Sequence, residues 1–150
     1  MFKLSKLADY GTVILAQMAR EPERLMSAAQ LAVETRLATP TVSKVLKLLA
    51  GRMLVAAQRG KRGGYLLARP PGRISLAEII DAVEGRFGLT ECATAPGVCC
   101  QEGSCKVRRH WLRVDRAVRG ALEGLTLAHL IEPERALISA IVFRPGGAVA

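Results

Sequence analysis

The chain has 150 residues, half of them hydrophobic, which suits one domain, or one small domain with an appendage. The net charge is +9 and it is uneven: residues 1–80 hold 13 Lys and Arg against 5 Asp and Glu, whereas residues 81–150 hold 9 against 8. A basic first half favours nucleic acid or an anionic membrane as partner, and the lack of any apolar run of about 18 residues excludes a membrane-spanning helix.

The apolar spacing predicts a first helix over residues 4–19, which ends before Pro22 because proline cannot continue the helix. Its stripe recurs at spacings of three and four and comprises Leu4, Leu7, Gly11, Ile14 and Met18. Ser27 and Gln30 fit a capping box, which predicts a short second helix ending near Thr35.

A third helix is predicted to begin with Thr39 as N-cap and Pro40 at the first helical position, and to end at Gly51. Its apolar stripe is Val42, Val45, Leu46 and Leu49. The start of the helix and its opposite face bear hydroxyl and ammonium groups and no acid, which is typical of a face that contacts DNA. The candidate DNA-binding residues are Thr39, Thr41, Ser43, Lys44 and Lys47. A merely solvated face is the alternative.

Two short apolar runs, 54–58 and 65–68, flank a glycine-rich segment and predict a β-hairpin. Its tip carries Arg59, Lys61 and Arg62, cations that can reach phosphates or a narrow minor groove; a solvated charged turn is the alternative. Helices followed by a basic hairpin are typical of a winged helix-turn-helix, which we assign to residues 1–72.

We assign residues 73–130 to a cysteine-loop sensor and dimerisation helix, and residues 131–150 to a C-terminal tail. Ser75 and Glu78 form a second capping box, and a loop spans 85–104. The long helix after it has an apolar seam at heptad spacing, typical of a helix that pairs with a second copy: Val107, Trp111, Val114, Val118, Ala121 and Leu125. Packing of this seam on the first helix is the alternative. The predicted fold class is therefore mainly α, a winged helix-turn-helix with a small β-hairpin wing plus a long dimerisation helix.

All four cysteines lie between positions 92 and 105: Cys92, Cys99, Cys100 and Cys105. Asp9 interrupts the stretch that a signal peptide would keep apolar, so we expect a cytoplasmic protein. In a reducing compartment, such a cluster favours a soft metal, an iron–sulfur cluster or redox thiols over a disulfide. The spacing lacks the CxxC pair of a zinc ribbon, and adjacent Cys99 and Cys100 are poorly placed to bind one iron together. Three thiolates with one other ligand are therefore favoured, with zinc, a thiol–disulfide switch and an inert cluster as alternatives.

Four segments, taken in order, resemble the Rrf-two family of bacterial transcription regulators. They are LADYG at 7–11, RGKRGGY at 59–65, SLAEIIDAVE at 75–84 and the three-cysteine loop. The resemblance covers about residues 1–130. Within the family, LTEC at 89–92 and CKVRRHW at 105–111 most resemble the regulator of the SUF iron–sulfur assembly operon.

The resemblance implies a homodimer that binds double-stranded DNA and holds a 2Fe–2S or 4Fe–4S cluster on Cys92, Cys99 and Cys105. It places the wing arginine at Arg59. Asp9 matches the aspartate that completes the cluster in the nitric-oxide-sensing branch, where the other subunit supplies it.

The sequence departs from the family pattern at two positions. Cys100 is an additional thiol that can replace Cys99. A histidine found three residues past the last cysteine in one branch is here Arg108, so His110 is the alternative fourth ligand.

The predicted function is that of a regulator, not an enzyme: an iron–sulfur-sensing repressor of iron–sulfur assembly genes, with no membrane partner. A nitric-oxide-sensing or thiol-redox-sensing regulator of the same family is one alternative. A cluster-containing redox protein is the other, although the chain has only two histidines and no constellation typical of a substrate pocket.

Overall fold

The computed structural model describes residues 4–132 and has seven α-helices and one β-hairpin in that range. Hydrogen-bonded turns separate them, among them a single 3₁₀ turn over Pro71–Arg73. In chain order the elements are α1 Lys6–Ala19, α2 Ala28–Thr35, α3 Thr39–Gly51, β1 Val55–Gln58, β2 Gly64–Leu67, α4 Leu76–Glu84, α5 Glu91–Thr94, α6 Arg108–Gly124 and α7 Leu127–Ile131. The predicted fold class, mainly α with a hairpin wing, is confirmed.

Helix α1 follows the predicted stripe except at its start. Ser5 caps the helix by accepting a hydrogen bond from the backbone N–H of Ala8, so Leu4 lies before the first turn. Leu4 is consequently 42% exposed, and its place in the stripe was predicted wrongly. Ile14 and Met18 are fully buried, as predicted.

The capping box of α2 is confirmed, because the Ser27 and Gln30 side chains each accept a hydrogen bond from the other residue's backbone N–H. The predicted cap of α3 is wrong. Ala38 occupies the N-cap position in an extended conformation, Thr39 is the first helical residue, and no side chain caps the helix. Pro40 therefore stands second in the helix, where its missing N–H still costs no hydrogen bond. The predicted buried stripe of α3 is fully buried.

The two strands form the predicted antiparallel hairpin, with Gln58 paired to Gly64 next to the turn. A residue before α2 joins this hairpin, because Met26 and Tyr65 exchange backbone hydrogen bonds of 2.8 and 2.9 Å. The backbones approach so closely that a Cβ on Gly64 would lie 2.7 Å from the Met26 carbonyl oxygen. Glycine at this position is therefore what lets the wing attach to the helical core.

Helix α4 packs against α1 and α3, with its capping box formed as predicted. Contact with α1 is close at Gly11, where a Cβ would lie 3.2 Å from Val83 Cγ2. Burial opposes ionisation of Glu78, but hydrogen bonds from Ser75 and from Arg69 outweigh it and lower the pKa of this carboxyl group.

Helix α7 also packs on α1 and was not predicted. Its Leu127 is fully buried, and its N–H donates to the Ile74 carbonyl at 2.7 Å. The elements on both sides of residue 72 therefore share the core around α1. The proposed division at that residue stays a prediction.

None of the helices in residues 4–132 combines the length and apolar character needed to cross a bilayer. Apart from its first two residues, the predicted tail over 131–150 lies outside the described part of the chain.

Candidate functional site

The face of α3 predicted to contact DNA bears an accessible row of polar groups. Thr39, Lys44 and Lys47 are exposed, whereas Thr41 and Ser43 are partly buried beside the core stripe. No side chain caps the first turn, which leaves helix N–H groups there for an external acceptor such as a phosphate. Neither lysine forms a salt bridge among residues 4–132.

The tip of the wing is a short turn whose shape depends on glycine. Gly60 has a φ angle of +123°, and its carbonyl oxygen accepts a hydrogen bond of 2.9 Å from the N–H of Gly63. A Cβ on Gly63 would lie only 2.4 Å from the Gln58 carbonyl oxygen. Arg59, Lys61 and Arg62 project from this turn; all three are exposed and make no salt bridge to any described residue.

The cysteine segment, residues 85–107 between α4 and α6, is more ordered than the plain loop predicted over 85–104. It contains α5, which carries Cys92, and the Cys92 thiol lies 3.2 Å from the Thr90 hydroxyl. Cys99 and Cys105 are partly buried and Cys100 is exposed. All four thiols are free.

The thiols and the proposed fourth ligands are not gathered into one site. Within residues 4–132, no three His, Cys, Asp or Glu side chains are close enough together to hold a metal ion. Asp9 is exposed in the first turn of α1, and His110 is exposed on α6. The donor chemistry, four free thiols in a 14-residue stretch, fits an iron–sulfur cluster. Binding one requires the segment to rearrange and bring the sulfur atoms together.

The beginning of the cysteine segment is attached to two helices by acidic side chains. Asp81 on α4 accepts from the Phe87 N–H at 3.3 Å, and Asp115 on α6 accepts from the Leu89 N–H at 2.9 Å. Arg119 on α6 forms an ion pair with Asp81, which joins the two helices directly. The hydrogen bond to Asp81 and the negative charges nearby outweigh burial and raise the pKa of Arg119.

Sequence reasoning missed this network. Asp115 and Arg119 are four residues apart, a spacing that places two side chains on one helix face, and this was the available signal. Asp81, the partner of Arg119, lies 38 positions from it, and only the fold brings the two together.

The predicted seam of α6 is exposed over its first half, whereas Val118 and Leu125 farther along are partly buried. No residue of α6 is buried, and Val107, Trp111 and Val114 are 53%, 46% and 45% exposed. Helix α6 contacts α4 and α5, in part through the Arg119–Asp81 ion pair. The large side chains at the start of the seam are therefore not buried by any described residue, which disfavours packing of the seam on α1.

Comparison with known proteins identifies the family. Residues 4–133 match the Rrf2 model, described as an iron-dependent transcriptional regulator. The chain belongs to the Rrf2 family. It is therefore a DNA-binding transcription regulator and not an enzyme.

Individual relatives show how the sequence likeness is distributed along the chain. A protein of the helix-turn-helix class from Aquifex aeolicus (strain VF5) is 27% identical over 132 residues, 87% of this chain and 92% of its own length. The HTH-type transcriptional regulator IscR of Cronobacter sakazakii is 35% identical over 85 residues, but that match covers 56% of this chain and 51% of IscR.

Two solved structures share the fold over most of the chain. CymR, the global cysteine regulator of B. subtilis, superposes with a TM-score of 0.71 at 27% identity, covering 87% of this chain and 97% of CymR. T. potens IscR gives a TM-score of 0.66 at 25% identity, covering 87% and 86%. The likeness thus extends through α6, beyond the winged helix.

Proposed function

We propose that this chain is a homodimeric, cytoplasmic regulator that senses an iron–sulfur cluster and represses iron–sulfur assembly genes. The observation that carries the proposal is the concentration of all four cysteines, each with a free thiol, in the segment that joins α4 to α6. The match to an iron-dependent family and to IscR proteins supports the same reading.

The DNA interface of the proposal is the accessible face of α3 together with the wing. Lys44 and Lys47 on α3 and the three wing cations supply positive charge that no described acid neutralises. Cations of this kind bind phosphates and release counterions, while the hydroxyl groups at the start of α3 can reach base edges. We assign the DNA contacts to Thr39, Thr41, Ser43, Lys44, Lys47, Arg59, Lys61 and Arg62.

The dimer of the proposal forms through the α6 seam. An exposed tryptophan flanked by valines at heptad spacing would be covered by the same residues of a second copy. The two winged helices would then sit at a separation and angle fixed by the two α6 helices, and that geometry determines which operator they fit.

The cluster ligands of the proposal are Cys92, Cys99 and Cys105, with Asp9 of the partner subunit as fourth ligand. Cys100 can replace Cys99, and His110 can replace Asp9. When bound, the cluster supplies iron–thiolate bonds that hold the segment together and that oxidation, iron shortage or nitric oxide can break.

Cluster binding is coupled to DNA binding through the hydrogen bonds and the ion pair that attach the start of the cysteine segment to α4 and α6. Gathering Cys92 with the later thiols moves the stretch around Phe87 and Leu89, whose N–H groups are held by Asp81 on α4 and by Asp115 on α6. Because Arg119 bridges to Asp81, a shift there changes the angle between the winged helix and α6. The protein populates two conformations that differ in this angle, and binding of the cluster shifts the balance towards one of them.

The test compares purified full-length protein with and without the cluster. Each form selects fragments from sheared genomic DNA, and the bound fragments are sequenced. The proposal predicts enrichment of iron–sulfur assembly promoters that differs between the forms, and no such difference for Cys92→Ala. Enrichment that is identical in the two forms would contradict it.

A thiol-sensing regulator is the second candidate, because the cysteine regulator CymR superposes closely and Cys100 presents an exposed thiol. Iron-free protein that binds DNA, loses binding under diamide and regains it with dithiothreitol would favour this candidate.

A further inference from the structure

Glu102 ties the middle of the cysteine segment to the start of α6. One carboxylate oxygen accepts from the backbone N–H of Gly97, and the other forms an ion pair with Arg108. The first contact closes a turn that contains Cys99 and Cys100. The second connects that turn to the helix that begins three residues after Cys105.

The pair is well placed to order the segment. The Arg108 and Glu102 side chains are only 37% and 20% exposed, so water screens their attraction less than that of a fully exposed pair. The carboxylate uses both oxygens, one on a backbone group and one on a side chain, which fixes its position as well as its charge.

Arg108 also has a hydrogen-bond donor that the ion pair does not use. Its Nε is shielded from solvent and has no hydrogen-bond partner among the described residues. Buried donors are nearly always satisfied, so such an N–H favours an external acceptor. A sulfur-rich, negatively charged group bound by the neighbouring thiols would supply one, since hydrogen bonds to cluster sulfurs are a common way in which proteins stabilise clusters.

We propose that Glu102 and Arg108 are positioning residues. Their ion pair holds the Cys99–Cys100 turn against Cys105, and the Arg108 Nε–H donates to the sulfur-rich group that these thiols bind. The second half of this inference rests on the proposed function, whereas the first half concerns the chain alone.

The first experiment uses full-length, iron-free protein under reducing, anaerobic conditions. A short pulse of N-ethylmaleimide is followed by mass spectrometry of each cysteine. Glu102→Ala and Arg108→Ala should raise alkylation of Cys99 and Cys105 by about two- to fivefold, the factor that an ion pair of this exposure contributes. Cys100 is already exposed and is the internal reference.

Matched controls remove the same charges nearby. Glu91→Ala deletes an exposed carboxylate of the same segment, and Arg109→Ala deletes the exposed guanidinium next to Arg108; neither forms a salt bridge within residues 4–132. Both should alkylate like the wild type. If Cys99 and Cys105 are alkylated at the wild-type rate in Glu102→Ala and Arg108→Ala, the positioning role of the ion pair is overturned.

The second experiment follows the visible absorbance of reconstituted protein after addition of a chelator. Arg108→Lys keeps the ion pair but lacks Nε, so its thiols should alkylate like the wild type while its absorbance decays at least about tenfold faster. Equal decay would overturn the role of Nε. Wild-type protein that cannot be reconstituted with a cluster would overturn both that role and the proposed function. The alkylation rates would still test the positioning role of the Glu102–Arg108 ion pair.

Discussion

Replacing Arg59 with alanine tests whether the wing contacts DNA. The side chain is exposed and makes no salt bridge within residues 4–132, so its full charge is available to a ligand. Its neighbours in the turn are fixed by Gly60 and by the close approach of Gly63 to Gln58, so the substitution should leave the hairpin intact. Any loss of affinity then reports the contact itself.

The magnitude follows from what such a contact contributes. An arginine that reaches a base edge contributes about 1–3 kcal/mol, so Arg59→Ala should weaken specific binding roughly 5- to 150-fold. Lys61→Ala is expected to act through phosphate instead. Each phosphate contact contributes about 0.9 to the slope of log K against log salt, so two wings should lower that slope by about 2.

Fluorescence anisotropy with a labelled operator fragment, titrated at several salt concentrations, measures both quantities. Arg86→Ala is the matched control, because it removes an exposed arginine from the segment after α4 and not from the wing or α3. Unchanged affinity and salt slope in both wing variants would refute the assignment of the wing to the DNA interface. An equal loss in Arg86→Ala would mean that only total charge matters.

Three further substitutions test the dimer seam, the wing attachment and the capping box. Trp111→Ala removes the largest exposed side chain of the seam and should weaken dimerisation by about 2 kcal/mol in sedimentation equilibrium; an unchanged dimer would refute the seam. Gly64→Ala forces a Cβ against the Met26 carbonyl and should lower the free energy of unfolding by about 1–3 kcal/mol, whereas Gly51→Ala, in open space, should not, and equal thermal melts would contradict the close approach. Glu78→Gln should destabilise the protein at neutral pH, and the difference from wild type should disappear as pH falls below 4.5, because the lowered pKa makes the carboxylate stabilising only when ionised; a difference independent of pH would contradict this.

Local patterns predicted the helical elements because local physics determines them. Ser27 with Gln30 and Ser75 with Glu78 each form the predicted capping box, since the residues involved are three positions apart. The start of α3 is the exception, because Thr39 is not its N-cap. A threonine before proline is a good N-cap by residue type, but the chain enters α3 one residue earlier, through Ala38 in an extended conformation.

The candidate site was less predictable because its contacts are long-range. The pairing of Asp81 with Arg119 spans 38 positions and depends on how α6 lies on α4. The short helix α5, which carries Cys92, lasts only four residues and has no apolar periodicity to reveal it. The assignments of DNA contacts and cluster ligands, including Asp9 and His110, stay predictions, because each requires a partner molecule.

The central claim is that iron held by the cysteine segment controls DNA binding. Its most direct test measures iron and acid-labile sulfide in protein purified without oxygen, and the operator affinity of the same sample before and after the iron is removed. We expect iron and sulfide in the wild type, their loss in Cys92→Ala, and an operator affinity that changes when the iron is removed. Protein that contains neither, and that binds the operator equally well after reconstitution, would contradict it.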